Sequence, residues 1–236
     1  MNVGYSEFEK YAKGHLGISG MQLHNFEKHQ ESQLYHKEVN GMMTPMILEE
    51  REMRVSIMSV FDRLMRDRIL WVAGPVNDYM AIVVQAQLLF LDKADKADVK
   101  MYVDTPGGSV KAGLQMVDIM DFVDCDIQTV NTGMAASMGS ILLGAGTKGK
   151  RSSLRFSKVM LHQSSGGAGG NIQDAEIEWK EWQEVNNTLF ELLGTYCGKP
   201  AKQVKKDATR DFWLSADEAL SYGIIDYIVP SKRDKK

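Results

Sequence analysis

The chain has 236 residues, 44% of them hydrophobic and 25% charged, with a formal net charge of -3 at pH 7. This length and composition predict one globular domain with a possible appendage, and they exclude fibrous, disordered and disulfide-scaffold proteins. The 28 Lys and Arg residues are balanced by 31 Asp and Glu residues. Because little positive charge is left to bind phosphates, we expect no nucleic-acid partner.

The N-terminal segment differs from the rest of the chain in composition. It holds four of the five histidines: His15, His24, His29 and His36. Their spacings of 9, 5 and 7 residues put no two of them on one helical face, which favours a solvated polar segment over a metal site. We therefore predict an N-terminal extension over residues 1–41, a folded domain over 42–230 and a charged tail over 231–236, with no bound metal.

The cysteines and the apolar segments bear on the cellular compartment. Cys125 and Cys197 have no cysteine neighbours, which predicts two buried thiols in a reducing compartment. The longest apolar stretch, residues 80–91, is interrupted by Gln85 and Gln87 and is shorter than the ~18 residues of a membrane span. Charged residues replace the apolar region of a signal peptide near the N-terminus. We expect a cytoplasmic protein with no membrane partner.

Short apolar runs alternate with helical patterns from residue 68 onward. Strands are predicted at residues 68–73, 99–103, 127–132, 159–161 and 224–229. Helices are predicted from the cap at Asn77 to residue 91, over 110–123, from about 137 to 145, and after the capping box that begins at Ser215. Gly133 is interpreted as a turn. This alternation predicts an α/β domain with a largely parallel sheet.

A long amphipathic helix is predicted after the glycine tract at residues 166–170. Seven apolar residues recur there at helical spacings: Ile172, Trp179, Trp182, Val185, Leu189, Leu192 and Leu193. The stripe is longer than one domain of this size comfortably covers. Two interpretations stay open, in which the stripe packs partly against another subunit or entirely within its own core.

Two of the predicted strand ends carry residues suited to catalysis, because ligands gather at the carboxyl ends of parallel strands. Gly107 and Gly108 follow the strand 99–103, where a bare amide could stabilise an oxyanion or the pair could form a simple turn. Ser137 follows the strand 127–132, as either a nucleophile or a helix N-cap. Ala135 replaces the first glycine of a G-x-S-x-G motif, so the ordinary α/β-hydrolase motif is absent.

A third strand end supplies a base. His162 follows the strand 159–161 and is the only histidine in residues 41–236. A serine needs such a base to act as a nucleophile. Asp211 lies in an irregular segment beside two aromatic residues, which we expect to desolvate it. It could orient the imidazole or pair with a nearby cation instead.

Four segments, taken in order, resemble the proteolytic subunit of the Clp proteases, the ClpP family. They are 104–110 (Asp-Thr-Pro-Gly-Gly-Ser-Val), 133–139 (Gly-Met-Ala-Ala-Ser-Met-Gly), 159–163 (Val-Met-Leu-His-Gln) and 210–216 (Arg-Asp-Phe-Trp-Leu-Ser-Ala). The resemblance covers about residues 42–230. It implies a serine endopeptidase with Ser137 as nucleophile, His162 as general base and Asp211 as the residue that orients the base. It also implies four further site residues: oxyanion amides at Gly108 and Met138, and substrate contacts at Val110 and Ser165.

The resemblance carries expectations about architecture and partners. It implies a ClpP/crotonase-like fold with a protruding handle helix over residues 172–193, and self-assembly into two stacked heptameric rings around a chamber. An AAA+ unfoldase of the ClpX, ClpA or ClpC type would use ATP and deliver unfolded polypeptides, while this subunit would need no cofactor. The extension would be a propeptide removed by self-cleavage near residues 41–44.

Three residues depart from the family pattern. Ser164 stands in place of a usual proline and is expected to loosen the segment that pairs with substrate. Thr209 replaces an acidic residue of an inter-ring ion-pair network, and Lys100 replaces an aromatic residue of the pocket that receives the unfoldase. Two alternatives are a catalytically silent ring subunit, against which the intact triad argues, and a crotonase-type acyl-CoA enzyme, which has no use for a serine nucleophile.

Overall fold

The structure, a computed structural model, describes residue 14 and residues 46–51, 54–167 and 170–231. Nearly all of the predicted extension, its four histidines, the expected cleavage segment and the tail after Ser231 therefore lie outside the described residues. The domain boundaries given above stay predictions. By its internal contacts the chain divides into two units, residues 1–60 and 61–236.

The first unit contains an antiparallel hairpin. Strand β1 (Met46–Arg51) pairs with strand β2 (Arg54–Ser59). Helix α1 (Val60–Arg66) begins at the boundary between the units.

The second unit is built on a seven-stranded sheet, and the predicted, largely parallel arrangement is confirmed. Its strands are β3 (Ile69–Ala73), β4 (Val99–Thr105), β5 (Ile127–Ala136), β6 (Ser152–Ser153), β7 (Lys158–Leu161), β8 (Phe212–Leu214) and β9 (Tyr227–Ile228). The main order is β3-β4-β5-β6-β9, and β7 pairs with both β5 and β8. The pairing of β7 with β8 is antiparallel, whereas the other pairings in this sheet are parallel.

The helices that connect these strands are α2 (Asp78–Ala94), α3 (Val110–Phe122), α4 (Met138–Gly144), α5 (Ile172–Cys197), α6 (Ala201–Asp207) and α7 (Ala216–Tyr222). Two of them, α2 and α7, start at the predicted capping residues. The Asn77 side chain accepts a hydrogen bond from the Met80 amide, which satisfies a free donor of the first turn of α2. Ser215 and Glu218 form the predicted capping box at the start of α7, which Gly223 ends with a φ of 95°.

The core lies between the sheet and its helices. Val99, Met101 and Val103 alternate along β4 with no solvent exposure, and α2 contributes Val84 and Leu88 to the same cluster. Burying a side chain of this size stabilises the fold by about 1.5–3 kcal/mol. The cluster fixes β4 and β5, whose ends carry the candidate catalytic residues.

Two sequence predictions are wrong in detail. Gly133 is not a turn, because β5 continues through it to Ala136. The strand register shifts there, and the Asp104 carboxylate accepts a hydrogen bond from the Met134 amide at 3.0 Å. A Cβ on Gly133 would lie 2.5 Å from that carboxylate, so the glycine makes room for it. The last strand is also shorter than predicted, since only Tyr227–Ile228 pairs.

A buried ion pair ties the ends of several elements together. The Arg151 side chain is 1% exposed and binds Asp226 through Nε and Nη2 at 2.9 and 2.7 Å. Its remaining donors reach the carbonyls of Tyr196, Gly223 and Gly144. All five guanidinium N–H groups are therefore used, which is the condition under which a buried arginine is tolerated.

Helix α5 is longer than predicted and only half packed. In its second half, Phe190 and Leu193 are each 3% exposed. In its first half, Ile172, Ile177 and Trp179 are 78%, 68% and 49% exposed. The second half therefore packs within its own chain, while these three side chains of the first half face solvent. None of the described helices has the length and hydropathy needed to cross a membrane.

Candidate active site

Ser137 occupies a sharp turn between β5 and α4. Its φ of 54° and ψ of -122° lie in a region that residues with a side chain rarely adopt. Its side chain makes no capping hydrogen bond. Instead, Oγ lies 2.7 Å from Nε2 of His162. The geometry thus favours a reactive hydroxyl over a helix cap, and it forms a nucleophile-type elbow without the G-x-S-x-G sequence.

Small residues around the elbow allow this backbone conformation. A Cβ on Gly107 would lie 2.6 Å from the Ser137 Cβ, and a Cβ on Gly139 would lie 2.6 Å from the Thr105 side chain. The Thr105 hydroxyl in turn accepts a hydrogen bond from the Gly107 amide at 3.0 Å. The strained turn is therefore held by close packing against the end of β4.

Strand pairing brings His162 to the serine. The parallel register places Ala136 of β5 opposite Met160 of β7, and the Ser137 amide donates to the Met160 carbonyl at 2.9 Å. His162 follows β7 directly, with a side chain that is 24% exposed. The imidazole is thus partly shielded from water and still accessible to a substrate.

Strand β8 places Asp211 on the other side of the His162 imidazole. Antiparallel pairing sets Phe212 opposite Leu161, which brings the residue before β8 beside His162. Asp211 Oδ1 lies 3.4 Å from Nδ1, and its side chain is 62% exposed. The expectation that neighbouring aromatic residues desolvate Asp211 is wrong, because it lies at the exposed start of a three-residue strand. With a proton on Nδ1 directed at Asp211, Nε2 is free to accept the Ser137 proton.

The two predicted oxyanion residues lie on adjoining segments. Met138 begins α4, where amide groups have no acceptor within the helix. Gly107 approaches it so closely that a Cβ there would lie 2.9 Å from the Met138 nitrogen. The Val76 amide donates to the Gly107 carbonyl, and the Ser109 amide donates to the Val76 carbonyl. Neither of these hydrogen bonds uses the Gly108 amide. These amides are the groups that could stabilise a developing negative charge.

The predicted substrate contacts lie on the segments that lead away from the site. Val110 is the half-buried first residue of α3. Ser165 is exposed in the segment after His162, which has no regular secondary structure. Sequence reasoning missed Thr105 and the strained backbone of Ser137. The run of small residues around Ser137 was the available signal for the elbow.

The two cysteines are not competing nucleophiles. Both are buried and free, as predicted. Burial raises the pKa of Cys197 to about 11 and also raises the pKa of Cys125. Both thiols therefore stay protonated near neutral pH and lack the reactive thiolate form.

A hydroxyl, an imidazole and a carboxylate aligned at the ends of neighbouring strands define a serine hydrolase.

Comparison with known proteins identifies the family. The Clp protease family model matches residues 50–232. Relatives from Porphyromonas gingivalis and Bacteroides fragilis are 45% and 44% identical over 229 and 227 residues, which is 97% and 96% of this chain and 99% of each relative. A relative from Streptococcus pyogenes serotype M1 is 45% identical over 196 residues, which is 82% of this chain and all of the relative. All three are named ATP-dependent Clp protease proteolytic subunit.

The chain belongs to the Clp protease family. It is a serine endopeptidase subunit with the α/β fold expected of that family. This membership favours a peptidase over the crotonase-type acyl-CoA enzyme, one of the two alternatives from the sequence.

Proposed function

We propose that this subunit hydrolyses unfolded polypeptides with Ser137 as nucleophile, His162 as general base and Asp211 as the orienting carboxylate. The observation that carries the proposal is the 2.7 Å contact between Ser137 Oγ and His162 Nε2 at a strained turn. A serine hydroxyl is a weak nucleophile until a base is positioned to accept its proton.

The reaction follows from this arrangement. Ser137 Oγ attacks the scissile carbonyl carbon while its proton passes to His162 Nε2. The amides of Gly108 and Met138 stabilise the resulting oxyanion. Collapse of the tetrahedral intermediate breaks the C–N bond, and His162 gives the proton to the leaving amine. A water molecule, deprotonated by the same imidazole, then hydrolyses the acyl-enzyme and restores Ser137.

Substrate contacts are proposed at Val110 and Ser165. Residues 162–167 are described without secondary structure, and four of these six residues are exposed. An extended peptide could add to such a segment by backbone hydrogen bonds, with side-chain selection on either side.

Labelling with a fluorophosphonate tests the proposed nucleophile, because this reagent reacts covalently with activated serine hydroxyls. The wild-type protein should be labelled at Ser137 and the Ser137→Ala variant should not. Ser221→Ala is the matched control, since that exposed hydroxyl donates to a carbonyl of its own helix at 2.9 Å. Labelling that persists in Ser137→Ala would overturn the assignment.

The proposed assembly is two stacked heptameric rings in the cytoplasm, served by an ATP-using AAA+ unfoldase. This subunit itself would use no cofactor. The relatives' names include the words ATP-dependent, which supports an ATPase partner. The exposed apolar first half of α5 supports a contact between copies, since large unpartnered apolar surface favours association.

An unfoldase contact is proposed around Tyr102. The Trp71 and Tyr102 rings stack with centroids 4.9 Å apart, and Trp71 is 38% exposed. Lys100 lies on the same face of β4 as Tyr102, because strand side chains alternate. A positive charge beside this aromatic pair would favour a partner loop that carries an acidic group.

Charging the exposed part of α5 should split double rings into single rings. In the Ile172→Asp/Ile177→Asp double variant, a carboxylate would enter an apolar contact at a cost of several kcal/mol. Both side chains are largely exposed within one chain, so the subunit fold should survive. Sedimentation velocity would distinguish the species, with Glu176→Gln as the control at a neighbouring charged position. Intact double rings would contradict the proposed contact.

Residues 1–41 are proposed to be a propeptide that Ser137 removes near residues 41–44. In support, the Clp protease family model begins its match at residue 50, and the match to the S. pyogenes relative covers all of that protein but 82% of this chain. The wild-type protein should lose roughly 4–5 kDa, the share of 41 residues in a chain of 236 residues and 26.5 kDa, while Ser137→Ala stays full length. Intact-mass spectrometry measures this directly. Equal masses for the two proteins would exclude self-processing.

A further inference from the structure

Three side chains join the segment after His162 to helix α5. The Ser164 amide and hydroxyl both donate to Oδ1 of Asn186, at 3.0 and 2.9 Å. The Trp182 indole N–H donates to the Ser164 hydroxyl at 2.8 Å. Trp182 and Asn186 are four residues apart and thus share one face of α5. We call Ser164, Trp182 and Asn186 the clasp.

The direction of each hydrogen bond in the clasp is determined. Because the Ser164 amide can only donate, the group of Asn186 that it meets must be the carbonyl oxygen. The Trp182 N–H can only donate as well, so the Ser164 hydroxyl accepts from Trp182 and donates to Asn186. These bonds act against the loosening that Ser164 was expected to cause in this segment. A proline there would have neither the amide proton nor the hydroxyl.

The clasp acts on the chain beyond His162 and not on the imidazole itself. Leu161 is held in β7 by its pairing with Phe212. On the other side, the Gln163 amide donates to the Ala208 carbonyl at 3.2 Å. His162 is thus fixed between two backbone anchors that do not involve α5. Ser164 is the next residue, and the segment that follows it is exposed.

The Trp182 ring extends the same contact along the chain. A Cβ on Gly166 would lie 3.4 Å from Cε2 of Trp182, so the indole lies against the backbone there. Trp179 packs edge-on against Trp182, with centroids 5.2 Å apart. The indole is therefore fixed from one side by Trp179 and holds Ser164 and Gly166 on the other.

We propose that Ser164, Trp182 and Asn186 are positioning residues that hold residues 164–166 in the conformation that aligns the substrate main chain with Ser137. The proposal rests on the proposed function, since it presumes that substrate lies along this segment. In a clasped segment the backbone groups are arranged before substrate arrives, so less conformational entropy is lost on binding. The clasp should thus affect substrate binding more than the chemical step.

The test compares peptide hydrolysis with fluorophosphonate labelling in the assembled enzyme. Ser164→Ala and Trp182→Phe each remove the bond between the hydroxyl and the indole, and Trp182→Phe keeps an aromatic ring in place. Losing one such hydrogen bond should raise KM about five- to tenfold and leave kcat and the Ser137 labelling rate within about twofold. The increase in KM of the Ser164→Ala/Trp182→Phe double variant should be smaller than the two single increases combined, because both changes remove the same bond.

Two further variants separate positioning from general packing. Ser164→Thr keeps the hydroxyl and should retain a KM near the wild-type value. Asn187→Ala is the matched control for Asn186→Ala, because Asn187 bonds Lys205 and not Ser164. An unchanged KM in Ser164→Ala and Trp182→Phe, or a labelling rate that falls as much as kcat/KM, would overturn the clasp. A wild-type enzyme that is not labelled at Ser137 would instead overturn the proposed triad, and the clasp with it.

Discussion

Peptidase activity is expected to fall about 10⁶-fold on replacing Ser137 with Ala, and by a similar factor for His162→Ala, because triad members act as a unit. The two side chains share the 2.7 Å contact through which the proton moves. Removing either one leaves only the residual catalysis of substrate binding and the oxyanion amides. Cleavage of a short fluorogenic peptide measures the effect without requiring an unfoldase.

Folding should survive both substitutions. Ser137 makes no side-chain bond within α4, and His162 is held through its backbone neighbours. Circular dichroism and sedimentation of Ser137→Ala should match those of the wild type. Hydrolysis by a correctly assembled Ser137→Ala at more than about 1% of the wild-type rate would contradict the proposed nucleophile, since triad losses are far larger than that.

The effect of Asp211→Asn should be smaller than that of the other triad changes. A buried triad aspartate contributes about 10⁴ in kcat by fixing the imidazole tautomer. Asp211 is 62% exposed and lies 3.4 Å from Nδ1, so water can compete for the Nδ1 proton. We expect a loss of ~10²–10³-fold, below that of the buried case, measured with the same peptide. A loss equal to that of Ser137→Ala would mean that Asp211 becomes desolvated in the assembled enzyme.

The sequence predicted the elements whose signals are local. The Asn77 cap, the capping box at Ser215 and the strand at residues 99–103 depend on residues a few positions apart, and the structure has all three. The candidate catalytic residues were found for a related reason. Ser137 and His162 are polar residues at the ends of apolar strands, and such strand ends meet at one edge of a parallel sheet.

What the sequence could not predict depends on distant contacts. Strand β8 has three residues, and only its pairing with β7 brings Asp211 beside His162. The exposure of Asp211 follows from that pairing and not from its aromatic neighbours. The clasp likewise joins Ser164 to Trp182 and Asn186, which lie 18 and 22 positions further along the chain. No local sequence pattern predicts these contacts.

Arg151 is the clearest example of a missed role. Arginine is usually exposed, and its neighbours, two lysines, a glycine and two serines, give no sign of burial. Its five donors are satisfied only by groups that lie elsewhere in the chain, among them Asp226 and the carbonyls of Tyr196 and Gly223. Burial of this guanidinium is therefore a property of the assembled fold.

Arg151→Met should destabilise the folded subunit by about 3–5 kcal/mol, the usual effect of removing one partner from a buried ion pair. The change leaves the Asp226 carboxylate without its main counter-charge and several carbonyls without a donor. Asp226→Leu should destabilise the folded subunit by a similar amount, because it leaves the Arg151 guanidinium, which is 1% exposed, without its carboxylate partner. In the Arg151→Met/Asp226→Leu variant neither charge is left alone, so its loss should be well below the sum of the single losses.

The ion pair between Arg151 and Asp226 should also make the stability of the folded subunit depend on pH. Burial alone raises the pKa of Asp226, but its hydrogen bonds and ion pair with Arg151 outweigh burial and lower the pKa from 3.8 to about 2. A carboxyl whose pKa is lowered on folding contributes stability that is complete above its unfolded pKa and is lost as the pH falls toward its folded pKa. The loss should therefore occur between about pH 5 and 2 and amount to about 2 kcal/mol.

Urea unfolding at pH 7 and pH 2.5 measures both effects, since most of this titration lies between the two values. It should be done at one fixed subunit concentration, since assembly also contributes to apparent stability. The wild type should lose more stability on acidification than Asp226→Asn, which has no carboxyl to titrate at this position. Lys96→Gln is the control, because the Lys96 side chain is 55% exposed in its ion pairs with Asp92 and Asp124. Exposed ion pairs contribute about 1 kcal/mol at most to stability. If Arg151→Met reduced the free energy of unfolding no more than Lys96→Gln, the buried ion pair would not anchor the fold.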